Sequence, residues 1–269
     1  MDPMSFTGFG VVAGAALTEA VRRAGADHVE PTIAGNLATR PGGDGGGWAL
    51  NDVYDGERFA SFAILVPGDL PLLTAEPTAV RGYFDAVLPI VRSVADPGAK
   101  IVFGSGTART APDGMPEAEA HRRFAEVLRT ARDTATASDL RIVLEPLSRS
   151  ETNVLNTFAE AVGFLDDADI DGVDVVADLF HIRNAGESLD VVRENGDRVG
   201  HVHVSDRDRL PLGAEGGDDV WRDFLAAVHD GGYRGSVSLE CSWSRDAVEA
   251  EQEIRRSLDL LRRADSALA

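Results

Sequence analysis

Short apolar runs alternate along this chain with longer amphipathic stretches. The runs cover residues 8–13, 28–33, 59–66, 100–104, 141–145, 173–177, 199–204 and 236–240. They are nearly continuous in hydrophobicity, which predicts strands buried on both faces, as in a parallel sheet. The amphipathic stretches predict helices over 17–24, 77–95, 116–138, 158–167, 188–194, 220–230 and 245–263. Thr157 followed by Glu160 forms a capping-box pattern at the start of one of them. Residues 40–55 are rich in glycine and hold Trp48; they predict a loop, with room for a short helix, where a regular second helix would stand. Eight βα units in a chain of this length predict a single (β/α)8 TIM barrel domain over residues 1–269. A doubly wound open sheet is the runner-up. No strand is followed by a dinucleotide-type glycine pattern or a P-loop, and the glycines of 42–47 read as a flexible loop.

Four consecutive runs end in polar residues. Glu145 closes the fifth, Asp178 follows the sixth, His203 lies in the seventh and Glu240 closes the eighth. In a parallel barrel the C-terminal strand ends carry the active site. Three carboxylates and one imidazole suit one divalent cation, Mn²⁺, Mg²⁺ or Co²⁺ first and Zn²⁺ after them. Clustered carboxylates repel one another without a cation, so a metal would also have a structural role. His201 lies two residues before His203, on the same side of the strand and deeper in the barrel. It is expected to support the site rather than to ligate. Arg109 follows Gly104-Ser105-Gly106 and is a candidate for an anionic substrate group, with loop anchoring as its alternative. Trp48, Phe9 and Trp243 are read as pocket walls or as plain packing. His28, His121 and His229 carry no motif.

Composition narrows the partners. A formal net charge of −19 repels nucleic acid backbones and anionic membranes. Neither is expected as a partner. Cys241 is the only cysteine, so no intrachain disulfide can form, and a cytoplasmic location is expected. The apolar stretch 6–17 is preceded by Asp2 rather than by basic residues, and it reads as a buried strand turning into a helix. No apolar stretch is long enough to span a membrane.

Several segments resemble the sugar phosphate isomerase/epimerase family, which shares the xylose isomerase-like barrel. They are Val102 to Arg109, Leu144 to Thr157, Asp178-Leu179-Phe180-His181, His201-Val202-His203, Gly232-Tyr233-Arg234-Gly235 and Leu239-Glu240. The resemblance runs from about Phe59 onward, and the ketose 3-epimerases are the best-understood of the similar enzymes. It implies a metal held by Glu145, Asp178, His203 and Glu240, with Glu145 and Glu240 moving the proton. It also implies substrate contacts from His181, Arg209 and Glu151, a small sugar or keto-sugar substrate, and a homo-oligomer. Two places depart from the family pattern. Ser148 stands where Asn is usual, and Pro211 to Gly217 replaces a shorter glycine-rich loop.

The implied chemistry removes a proton from a carbon next to a carbonyl. A cation bridging the carbonyl and its neighbouring hydroxyl would stabilise the enediolate, and a carboxylate would serve as base. Glu145 and Glu240 come from non-adjacent strands, so they could reach opposite faces of a sugar. The alternative is a lyase or dehydratase of the same superfamily, resembling inosose dehydratases or enzymes that eliminate from 3-keto-glycosides. A DNA-repair endonuclease of the endonuclease IV type would need more histidines and a basic groove. A non-enzymatic sugar-binding barrel would be expected to lose a catalytic carboxylate.

Overall fold

The computed structural model describes residues 5–43 and 46–268. Eight parallel strands form one sheet: β1 (Phe9–Ala13), β2 (His28–Pro31), β5 (Phe59–Phe62), β6 (Ala95–Phe103), β7 (Leu140–Leu144), β8 (Asp174–Asp178), β9 (Val199–Val204) and β10 (Val237–Leu239). Their spatial order is β2-β1-β10-β9-β8-β7-β6-β5, with every pair parallel. The two ends of the sheet meet where Thr32 bridges Ala63, and Ile33 N donates to Ala63 O at 2.8 Å. The result is the TIM barrel that the strand pattern predicts.

Helices cover the outside. They are α1 (Ala15–Ala24), α2 (Pro77–Ser93), α3 (Gly106–Arg109), α4 (Glu117–Ala137), α5 (Phe158–Asp167), α6 (Leu179–Ala185), α7 (Asp190–Glu194), α8 (Val220–Asp230) and α9 (Ala247–Leu268). The Thr157 hydroxyl accepts from Glu160 N at 3.0 Å, and the Glu160 carboxylate accepts from Thr157 N, completing the capping box of α5. Each long helix buries one apolar face. In α2 that face is Val80, Phe84, Val87, Leu88 and Val91, all spaced for one side of a helix. Among the described residues, no helix is long and apolar enough to cross a membrane.

Residues 40–55 do contain a short helix, at Asp52–Tyr54. They also hold part of a small antiparallel pair, β3 (Ala38–Thr39) with β4 (Ala49–Leu50), which the glycine-rich pattern does not reveal. Asp44 and Gly45, within the loop expected at 42–47, lie outside the described residues. Strand β6 begins five residues earlier than predicted and carries a register shift against β5 between Phe59 and Ser61. Helix α6 has no counterpart in the sequence prediction.

Candidate metal and substrate site

The barrel brings the four strand-end residues together. Asp178 ends β8, and in the parallel ladder it pairs with His203 of β9. Glu145 and Glu240 each lie one residue beyond their strands and continue the ladder: Glu145 N donates to Phe103 O at 3.2 Å, and Glu240 N to Val204 O at 3.0 Å. Glu145, Asp178, His203 and Glu240 offer ligand atoms that all lie within 4.8 Å of one another. Gly104, at the end of β6, makes room for this cluster; a Cβ there would sit against Glu145 Oε2.

Asp178 divides its carboxylate between two tasks. Oδ1 accepts from Phe180 N at 2.7 Å and caps α6. Oδ2 is buried and has no hydrogen-bond partner. His203 Nδ1 faces Glu145 Oε1 at 3.3 Å and Glu240 Oε2 at 3.4 Å. Burial pushes Asp178 well above the usual carboxylate range, with the charges of Glu240 and Glu145 adding to it. Burial also raises Glu145. Glu240 goes the other way: His203 and Arg209 outweigh its burial and hold it low. Carboxylates crowded this closely, one with an unpartnered buried oxygen, form a donor set that fits a divalent cation.

Arg209 reaches the cluster from the loop after β9. Its Nη1 donates to Glu240 Oε2 at 2.5 Å, and its guanidinium lies 4.3 Å from the Phe180 ring centroid. The backbone there is unusual, because Asp208 and Arg209 both have φ of 57°. Two successive left-handed, non-glycine residues carry strain of order 1–3 kcal/mol each. Ser242 N on Arg209 O, 2.7 Å, and Asp206 N on Leu210 O, 2.9 Å, hold the turn.

His181 sits on α6, three residues after Asp178. Its Nδ1 accepts from Ser148 N at 3.0 Å and lies 2.9 Å from Ser148 Oγ. Ser148, which departs from the family pattern, thus orients this imidazole. Burial, followed by the charge of Arg209, pushes His181 down to about 3, and because Nδ1 accepts the Ser148 N–H, the neutral ring carries its proton on Nε2. That Nε2 lies 3.1 Å from Arg209 Nη2. Two donors facing each other suit an oxygen accepted between them. Glu151 stands at the rim, its side chain 40% exposed and Oε1 4.0 Å from His181 Nδ1.

Arg109, the candidate for an anionic substrate group, turns toward the protein's own backbone. Its side chain is fully buried; Nη1 donates to Glu145 O at 2.8 Å and Nη2 to Leu155 O at 3.4 Å. Both terminal nitrogens thus meet backbone carbonyls while Nε is buried without a partner, a placement that favours the anchoring alternative. Phe9 is a core residue. Trp48 lines a separate cavity of about 650 Å³ beside Arg40, Asp69 and Tyr83, with none of the four clustered residues in its wall. Trp243 is half-buried, and its Nε1 has no hydrogen-bond partner.

Sequence reasoning missed Glu30. This residue of β2 is fully buried beneath the cluster and contacts both His201 and His203. Its signal was present as a carboxylate inside an apolar run. His28, unassigned by motif, approaches Ser238 in the same layer, with Nε2 3.1 Å from Oγ.

The model of the xylose isomerase-like TIM barrel family matches residues 18–264. A D-psicose 3-epimerase of Enterocloster bolteae is 33% identical over 114 residues, covering 42% of this chain and 37% of that protein. A 3-dehydro-D-guloside 4-epimerase of Escherichia coli is 27% identical over 133 residues, covering 46% of this chain and 51% of that protein. The matched segment spans about two fifths of the length of the first curated relatives. The crystal structure of a D-psicose 3-epimerase with D-tagatose, from Clostridium cellulolyticum H10, shares the fold at a TM-score of 0.75 and 19% identity. It covers 96% of this chain and 99% of that one.

Proposed function

From the premise that this chain belongs to the xylose isomerase-like TIM barrel family, we propose that it is a divalent-metal-dependent epimerase or isomerase of sugars or keto-sugars. The observation that carries this reading is the convergence of Glu145, Asp178, His203 and Glu240 at the C-terminal end of the barrel. The names of the relatives point the same way: those described above are both carbohydrate epimerases. Glu145, Asp178, His203 and Glu240 would hold the cation, with Mn²⁺, Mg²⁺ or Co²⁺ favoured by the oxygen-rich set and Zn²⁺ next. When bound, the cation supplies Lewis acidity to a substrate carbonyl and stabilises the charge that develops on oxygen.

The protein's own groups do the rest. Glu145 follows β7 and Glu240 follows β10, with β8 and β9 between them in the barrel wall. One carboxylate takes the proton from the carbon beside the carbonyl, and the other, protonated from solvent, delivers its own proton to the opposite face. His181 Nε2 and Arg209 Nη2 point donors toward a common place, where they hold a substrate oxygen and fix the sugar's orientation. Glu151 closes the rim beside His181.

The test is a panel of keto-sugars incubated with metal-loaded protein in deuterated water. Deuterium at the carbon next to the carbonyl, with the substrate's carbon skeleton and composition retained, is the expected result. Loss of water or an aglycone would replace the epimerase with a lyase. Protein that holds no cation, native or reconstituted, and exchanges no substrate proton would overturn the proposal.

A further inference from the structure

Below the four clustered residues lies a second, closed polar layer built on Glu30. This carboxylate is fully buried inside the barrel, among the buried side chains of Ser61, His201, His203 and Ser238. Its four contacts come from three strands. Oε2 receives Ser61 Oγ of β5 at 2.8 Å, Ser238 Oγ of β10 at 2.6 Å and His201 Nε2 of β9 at 2.8 Å. Oε1 lies 2.9 Å from His203 Nε2, also of β9.

Proton positions in this layer follow from counting donors and acceptors. An ionised carboxylate accepts only, through about four lone-pair sites. The two hydroxyls and two imidazoles supply four donors. His201 agrees with this count: its Nδ1 is buried without a partner, as expected of the unprotonated nitrogen in a neutral ring whose proton is on Nε2. The Ser238 hydroxyl, having given its proton to Glu30, can accept from His28 Nε2 at 3.1 Å. Glu30, His201 and His203 also approach closely enough to resemble a cation site. The filled set of hydrogen bonds accounts for their approach without one.

We propose that Glu30 is the positioning residue of the metal centre: by accepting the Nε2 proton of His203, it fixes the tautomer in which Nδ1, the nitrogen on the side of Glu145 and Glu240, can offer its lone pair to the cation. The inference rests on His203 being a metal ligand. A neutral imidazole has one lone pair, and the wrong tautomer would present an N–H to the cation instead. Because Ser238 pairs with His203 in the ladder between β9 and β10, the strand register itself aligns the supporting layer.

The experiment measures Mn²⁺ affinity, by the electron paramagnetic resonance of free Mn²⁺, for the wild type and Glu30→Gln. Glutamine keeps the shape but brings an N–H₂ donor among groups that all donate. Affinity is expected to fall about 10- to 100-fold, with the barrel folded by circular dichroism. Equal affinity in the two proteins would overturn the role of Glu30 while leaving the metal centre standing. A wild type that binds no cation would sink both. If Glu30→Gln does not fold, the wild type decides. In ¹⁵N-histidine-labelled protein loaded with Mg²⁺, His203 must show its proton on Nε2, and a proton on Nδ1 would refute the proposal.

Discussion

Asp178 and His203 stand opposite one another in the parallel ladder between β8 and β9, and each faces two ways. Asp178 turns Oδ1 to the helix that follows it and leaves Oδ2 in the cluster. His203 turns Nε2 to Glu30 and Nδ1 to Glu145 and Glu240. The site is therefore built from residues that also hold the barrel, and substitutions can separate the two tasks.

Asp178→Asn tests that separation. Asparagine caps a helix about as well as aspartate, and it removes a buried carboxylate that has only one of its oxygens satisfied. Metal-free thermal stability is expected to be unchanged or higher, while Mn²⁺ binding by calorimetry is lost. Loss of stability with metal binding intact would reverse the assignment.

Metal addition should stabilise the folded protein. A ligand at 100 times its dissociation constant contributes about 2.7 kcal/mol. A rise in the melting temperature with Mn²⁺, reversed by a chelator, is expected for the wild type and not for the His203→Ala/Glu240→Ala double variant. Elemental analysis should find about one cation per chain in the wild type alone.

Glu145→Gln and Glu240→Gln each remove one proton-transfer group with little change in volume. Each is expected to lower turnover by about 10²- to 10⁴-fold, read as deuterium uptake at saturating substrate and metal. Unaltered turnover in either variant would eliminate the two-carboxylate mechanism.

Gly104→Ala adds one methyl group where the Glu145 carboxylate passes. Oε2 of that carboxylate must shift, which disturbs its place in the cluster while leaving the backbone unchanged. The variant is expected to fold, by circular dichroism, and to bind metal more weakly than the wild type.

Arg109→Met distinguishes an anchor from a substrate contact. The buried carbonyl oxygens of Glu145 and Leu155 would lose donors, at a cost of roughly 1–3 kcal/mol. Chemical denaturation should show that loss. A raised KM with unchanged stability would restore the substrate role.

Much of the architecture is legible without coordinates because each element carries a local period. Helices 158–167 and 220–230 and strand 199–204 occupy the residues that their patterns predict. Helix α6 escapes this reading because it starts directly at the end of β8, on a capping carboxylate that also belongs to the site. The β3–β4 pair escapes because two residues in each strand carry no period.

The sequence by itself determined the barrel and the roll of polar strand ends, because buried parallel strands must be apolar until they emerge at the mouth. Tertiary structure decided what each polar group faces. That Arg109 faces Glu145 O and Leu155 O could be seen only in the folded barrel. Glu30 gained its meaning from Ser61, His201, His203 and Ser238, which lie between 31 and 208 positions away along the chain. Hydrogen bonds over such separations leave no local period. They arise when the closed barrel points these side chains inward at one level.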